Sequence, residues 1–199
     1  MKMNLPNKIT MFRLFLSIVL VIILLFPFYA INVNFKTFVV NDLIIIDTKY
    51  IIAGIIFIVA SLTDFLDGHI ARKNNLVTDF GKFTDAIADK ILVNSVLIIF
   101  AAQGLINPLI PVIVISRDTI VDAIRMLAAS KNKVIAAGKM GKVKTATLMI
   151  ALTLTFFYNL PFELWNIGIN DVLLIIATAL SVYSGFEYYY NNKKVLFEK

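Results

Sequence analysis

"DFLDGHIARKNNLVTDFGKFTDAIAD", residues 64–89, holds five aspartates in a chain that is otherwise oily. Of 199 residues, 59% are hydrophobic and only 16% are charged. A soluble domain carries about 45–50% apolar and about 25% charged residues, so this balance points to a membrane protein. Asp64 and Asp67 stand three apart, and Asp85 and Asp89 stand four apart. Either spacing puts a pair on one face of a helix. On consecutive antiparallel helices, the four carboxylates would face one another and repel. At membrane depth each costs roughly 2.5–3.5 kcal/mol on insertion scales, less near the interface. Two divalent cations would balance the four charges, and hard oxygen ligands suit Mg²⁺, Mn²⁺ or Ca²⁺. Gly68 and Gly81 let backbones and ligand approach closely. Ala71 keeps the face small, and Arg72 offers a donor fork to a phosphate or carboxylate. Any single aspartate here also reads as a solvated helix end; the matched spacing on two helices argues against that for the four. Asp79, in "VTDFGKF", reads as a helix N-cap. His69, the only histidine, is read as a neighbour rather than a ligand.

Working outward, six apolar segments appear, at residues 5–29, 50–72, 83–104, 108–130, 143–161 and 171–190. Each approaches the ~20 residues a helix needs to cross hydrocarbon. The expected fold is an all-α membrane protein, a bundle of six transmembrane helices with a polar cavity on its cytoplasmic side. It is read as one domain over residues 1–199. The bridge at 30–49 is the longest and most mixed; "QGLINP" marks a helical hairpin, and "YNLPFELWNIGIN" an aromatic interfacial loop. A cleavable signal peptide is not expected, because the first apolar run ends in bulky "FPFYA" and Arg13 lies inside it. With the N-terminus cytoplasmic, the outer loops carry only Lys36 and Lys49, and the other basic residues fall on the inner side. The aspartate stretch is then cytoplasmic. Cysteine is absent, which excludes disulfides and thiolate metal sites. The net charge of +6 favours anionic lipid and anionic substrates.

The stretch resembles the signature of the CDP-alcohol phosphotransferases, D-x2-D-G-x2-A-R-x8-G-x3-D-x3-D. Every fixed position is matched, by Asp64, Asp67, Gly68, Ala71, Arg72, Gly81, Asp85 and Asp89. The resemblance implies a two-metal site, with Mg²⁺ or Mn²⁺ held by Asp64, Asp67, Asp85 and Asp89. It implies Asp89 as general base, and CDP binding around Gly68, Ala71, Arg72 and Gly81. It also implies six membrane helices, a homodimer and a bacterial plasma-membrane location. The chemistry suits the residues: an alcohol attacks a phosphorus of a CDP-linked lipid and expels CMP. Cations neutralise the diphosphate and a carboxylate takes the hydroxyl proton.

The acceptor is read from the fourth segment, "SRDTIVDAIR". Arg117 lies roughly 14 Å in from Pro108 at 1.5 Å per residue, so it must face a wet cavity or a partner. Arg117, Asp118, Asp122 and Arg125 fall within a sector of about 140°. Asp118 and Asp122 also read as an internal ion-pair network. "GKMGKVKT" fails the Walker A spacing, but its Lys142 and Lys144 open the fifth helix. With Arg117 and Arg125 they would form a basic pocket for a second phosphate. "ISRD…R…GKVKT" is similar to the branch of the family that forms phosphatidylglycerophosphate from CDP-diacylglycerol and glycerol 3-phosphate. Inositol phosphate is the closest competing acceptor.

In the N-terminal "PNKITMFR", Asn7, Thr10 and Arg13 share roughly one helix face. Spacing alone allows a cap with a snorkelling Arg; the resemblance implies that they lie near the CDP group. Two other classes are weighed: a cation transporter, since facing carboxylates also make ion paths, and a non-catalytic lipid-binding protein. The acids crowd at one membrane side, which disfavours the first, and the complete signature disfavours the second. Ser181 and Gly185 form a small-xxx-small pair of the kind found at helix–helix contacts, a weak pointer to a homodimer. No nucleic-acid partner is expected.

Overall fold

The computed structural model describes residues 4–41, 44–74, 78–131, 133, 135 and 138–197. Among them six α-helices stand where the six apolar segments do: α1 Leu5–Leu25, α2 Thr48–Lys73, α3 Asp79–Ala102, α4 Leu109–Ser130, α5 Lys139–Phe156 and α6 Ile169–Phe197. The boundaries have local causes. In α1, Asn4 caps the first turn by accepting from Asn7 N at 3.1 Å. Its apolar run was expected to reach residue 29, but Phe26 turns extended and Pro27 follows, so the helix stops at Leu25. At the end of α5, Tyr158 and Asn159 take positive φ, which ends the helix at Phe156 rather than near residue 161. Helix α3 begins at Asp79 itself: Thr78 Oγ1 accepts from Gly81 N at 3.0 Å, so the cap lies one residue earlier than expected. The side chain of Asp79 lies outside the described residues.

The chain divides into two compact units. One comprises Met1–Ile99 with Thr153–Ile167, the other Phe100–Leu152 with Gly168–Lys199. In the first, α1 packs along α2. The buried face of α1 runs Asn7, Thr10, Arg13, Ser17, Leu20, Leu24, while Phe12, Phe15, Ile18, Ile22 and Leu25 are exposed. Polar residues inside and bulky apolar ones outside invert the soluble pattern and suit a lipid-facing helix. In α2, buried Ala53, Phe57 and Ala60 form a stripe at helical spacing. Asp64 and Asp67 continue that stripe toward the C-terminal end of the helix. Gly54 has no room for a side chain, since a Cβ there would lie 2.9 Å from Phe156 Cβ. In the second unit α4 packs on α6, with Val121, Ile124 and Tyr188 at its core.

Among the described residues, three helical stretches are long and apolar enough to cross a membrane: Leu5–Leu25, Thr48–Gly68 and Ile169–Lys193. Helices α3, α4 and α5 fall short among the described residues because they carry charge. Asp79, Lys82, Asp85, Asp89 and Lys90 lie in α3; Arg117, Asp118, Asp122 and Arg125 in α4; Lys139, Lys142 and Lys144 in α5. Helices α1 and α2 keep spanning length although they too carry expected site residues, among them Arg13, Asp64 and Asp67.

The bridge at 30–49 contains structure that its mixed composition hid. Residues Phe28–Ile31 form a 3-10 turn. Thr37–Val40 (β1) and Ile44–Asp47 (β2) pair antiparallel, with Thr37 opposite Asp47 and Val40 opposite Ile44. The β-branched run favours strands, and Asn41 at φ 51° starts the turn. Asp47 ties this end together. Its carboxylate accepts from Lys49 N at 2.8 Å, capping α2, and from Tyr29 OH at 2.5 Å; its own N–H donates to Tyr158 OH at 2.8 Å. Lys49 Nζ donates to Leu24 O at 3.4 Å, at the carbonyl end of α1.

The hydrogen bond to Asp47 pushes the Tyr29 phenol up to about 12, above the ordinary value of about 10. A raised acid contributes stability that is complete below its unfolded value and is lost as pH rises through the folded one. Ultraviolet titration should therefore show one phenol ionising near pH 12, and Tyr29→Phe should remove that step. If the variant instead loses a step at the ordinary tyrosine value, the Tyr29–Asp47 bond is not held in solution.

Candidate active site

Where the N-terminal half of α1 lies against the C-terminal half of α2, the polar stripes of the two helices meet. Arg13 has no exposed surface. Its Nη1 donates to Asp64 Oδ1; its Nη2 donates to Asp67 Oδ2 and to Asp85 Oδ1, both at 2.6 Å. One guanidinium thus joins three carboxylates from α2 and α3. Thr10, one turn earlier, points its hydroxyl at Asp67 Oδ2 (2.8 Å) and at Pro6 O (3.1 Å). The bond to the ionised carboxylate is the stronger of the two. Asn7 Nδ2 donates to Thr78 Oγ1 at 3.2 Å. Gly81 lies against the same amide, where a Cβ would come within 2.6 Å of Asn7 Oδ1. The glycine is therefore required by the approach of α1 to the start of α3.

Asn7, Thr10 and Arg13 thus share one face, as their spacing requires, and the face they meet is the aspartate cluster and Thr78. Gly68 and Ala71 follow Asp67 on α2, both half-buried. The side chain of Arg72 lies outside the described residues. Asp89, one turn beyond Asp85, is half-buried, and its charge acts on Asp64. The cluster within mutual reach is Asp64, Asp67 and Asp85, whose ligand oxygens lie within 4.8 Å of one another. Hard divalent ions hold oxygen ligands at about 2.0–2.6 Å, so one ion can bridge that span. Three carboxylates against one guanidinium also leave two formal negative charges. The donor set and its charge fit a divalent cation.

A second polar cluster lies within the other unit. Arg117 uses all three of its nitrogens. Nε donates to Ser181 O at 3.2 Å, Nη1 to Asp118 Oδ1 at 2.9 Å and Nη2 to Ser184 Oγ at 2.9 Å. Lys144 is buried, and its Nζ reaches Asp118 Oδ2 at 2.7 Å and Oδ1 at 3.0 Å. Arg117 and Lys144 are therefore brought together by Asp118. Arg125 lies about 12 Å further along α4 at 1.5 Å per residue. There its Nε donates to Tyr188 OH at 3.3 Å and its guanidinium sits 5.5 Å from the ring centre. Lys142 is exposed. Of the four basic residues expected in one pocket, the structure gathers two.

The small residues of α6 have a role inside the chain. A Cβ on Gly185 would lie 2.9 Å from Arg117 Cγ, and Ser181 is fully buried beside the same arginine. The small-xxx-small pair makes room for Arg117 and so gives no independent support to a dimer contact. Thr78, Ser184 and Tyr188 were not singled out in the sequence. Their partners lie on other helices, and only Thr78 carried a local signal, as the residue before "DFG".

A family model described as CDP-alcohol phosphatidyltransferase matches residues 3–183. The chain belongs to the CDP-alcohol phosphatidyltransferase family. A protein of Bacillus subtilis (strain 168) named CDP-diacylglycerol--glycerol-3-phosphate 3-phosphatidyltransferase is 40% identical over 193 residues, covering 97% of each chain. Proteins of the same name from Mycoplasma pneumoniae (35% identical, 77% of this chain and 68% of that one) and Rickettsia bellii (31%, 96% of each) are also similar. As a CDP-alcohol phosphatidyltransferase with apolar helices of spanning length, the chain is an integral membrane protein.

The contact at Gly185 is directly testable. Gly185→Val should destabilise the protein by about 1–3 kcal/mol through overpacking against Arg117. Gly141→Ala, whose Cβ would lie an ordinary 3.9 Å from Arg117 Nη2, should be close to neutral. Thermal unfolding in detergent checks both; equal effects would contradict the packing described.

Proposed function

We propose that this chain transfers the phosphatidyl group of CDP-diacylglycerol to glycerol 3-phosphate, releasing CMP. The observation that carries the reading is the convergence of the signature aspartates Asp64, Asp67 and Asp85 on one cluster, in a chain whose relatives bear the name of that reaction. Asp64, Asp67, Asp85 and Asp89 hold two divalent cations, Mg²⁺ or Mn²⁺. When bound, the cations neutralise the diphosphate and steady the leaving group. Asn7, Thr10, Arg13, Gly68, Ala71, Arg72 and Gly81 surround the CDP group. The acceptor hydroxyl gives its proton to the Asp89 carboxylate as its oxygen bonds to the phosphatidyl phosphorus. The bond from that phosphorus to the CMP oxygen breaks, and CMP leaves.

The acceptor's own phosphate is assigned to Arg117 and Lys144, with Arg125 and Lys142 as further cationic groups. Two cations share the single carboxylate of Asp118, so the cluster keeps one net positive charge for an anion. A neutral acceptor such as serine or inositol would not use that charge. The wider reading is of six membrane-crossing helices, a polar cavity and active site on the cytoplasmic side of a bacterial plasma membrane, and a homodimer.

An acceptor panel tests the reading. Purified protein with labelled CDP-diacylglycerol and Mg²⁺ or Mn²⁺ should release CMP with glycerol 3-phosphate, and far less with inositol phosphate, inositol or serine. Asp89→Asn should lower turnover by about 10²–10⁴-fold, the usual contribution of a general base, with unchanged thermal unfolding. A preference for inositol phosphate would overturn the acceptor, and full activity in the variant would remove Asp89 from the base role.

A further inference from the structure

We propose that Arg13 and a divalent cation compete for the same three carboxylates, so that Arg13 sets how tightly the cluster binds its ion. The proposal rests on the reading of Asp64, Asp67 and Asp85 as cation ligands, and deepens it. Each of the three carboxylates that can face one ion accepts a hydrogen bond from Arg13. Arg13 is therefore placed where positive charge is wanted, rather than at the rim of the cluster.

The way Arg13 is held makes this exchange feasible. Its side chain is fully buried, yet Nε has no hydrogen-bond partner. The hydrogen bonds described for its side chain are made by the two terminal nitrogens, to the cluster carboxylates. Rotation of the guanidinium away from the cluster breaks those contacts and no described bond on the stem side. Asp67 Oδ2 already accepts from both Thr10 and Arg13, so an ion arriving at that oxygen meets two donors. A divalent ion a few ångströms from a guanidinium in a poorly screened site is also repelled by it. Linkage makes the effect reciprocal: an ion that loosens Arg13 binds more weakly because Arg13 is there. The result is a cluster held together by its own cation, which gives way to an ion without leaving three clustered negative charges, one of them the buried Asp67, unmatched at any point.

The test measures Mn²⁺ binding directly, on the purified full chain without substrate, from the signal of free Mn²⁺ in electron paramagnetic resonance. Arg13→Gln keeps a hydrogen-bond donor and removes the charge; Mn²⁺ affinity should rise on the order of tenfold, within the range usual for coupled sites. Arg13→Lys keeps the charge and should stay within about threefold of the wild type. Mn²⁺ should also raise the unfolding temperature of Arg13→Gln more than that of the wild type. Weaker or unchanged binding in Arg13→Gln would overturn competition and make Arg13 an orienting residue. If Arg13→Gln cannot be obtained folded even with Mn²⁺ present throughout, the proposal also fails, because an ion that replaces Arg13 must take over its charge. Asp67→Asn separates the two levels. If the wild type shows no Mn²⁺ binding that this substitution removes, the cation-site reading itself falls; if it does, only the competition is at stake.

Discussion

A fully buried guanidinium must be matched by carboxylates, and here that requirement fastens three helices at one point. Arg13 comes from α1, Asp64 and Asp67 from α2, and Asp85 from α3. An unmatched charge at such depth costs several kcal/mol, so these helix ends cannot separate without a large penalty. The neighbouring contacts tighten the same junction. Thr10 adds a donor to Asp67, Asn7 reaches Thr78, and Gly81 leaves space for the Asn7 amide. The residues to which we assign the site's chemistry are therefore also the ones that hold the helices in place.

The rest of the architecture follows from placing such a cluster in a lipid-facing protein. Helix α1 turns Asn7, Thr10, Arg13 and Ser17 inward and presents Phe12, Phe15 and Ile18 outward. The charged residues of α3, α4 and α5 shorten their apolar lengths, leaving α1, α2 and α6 as the stretches of spanning character. At the far end of α1 and α2, Asp47 performs a smaller version of the same task, joining the β-hairpin, the start of α2 and the turn at Tyr158. Within the second unit Asp118 stands between Arg117 and Lys144, and α6 supplies the small residues that receive Arg117.

What could be read from the residues alone was periodic. The spacing of Asp64, Asp67, Asp85 and Asp89 announced two helix faces, and the run of Asn7, Thr10 and Arg13 announced a third. Six apolar segments announced six helices. Contacts between distant segments had no such signature. Nothing in the spacing says that Arg13 answers Asp64, Asp67 and Asp85, because a helical period describes one helix and not its partner. The same holds for Ser181 and Gly185, which look alike whether they receive a neighbouring helix or an arginine of their own chain. The β-hairpin at 37–47 was hidden for another reason: its strands are four residues each, too short for alternation to stand out from the surrounding apolar sequence.

The coupling between Arg13 and Asp67 tests the central claim most directly. Unfolding free energies of wild type, Arg13→Gln, Asp67→Asn and the double variant, in detergent with chelator present, give the interaction energy of the pair. Breaking a buried ion pair by removing one partner costs about 3–5 kcal/mol. Each single variant should therefore lose much of its stability, and the double variant should be no worse than the poorer single. Losses that simply add would show that the guanidinium and the carboxylate do not depend on each other, and would contradict the account of how these helices are joined.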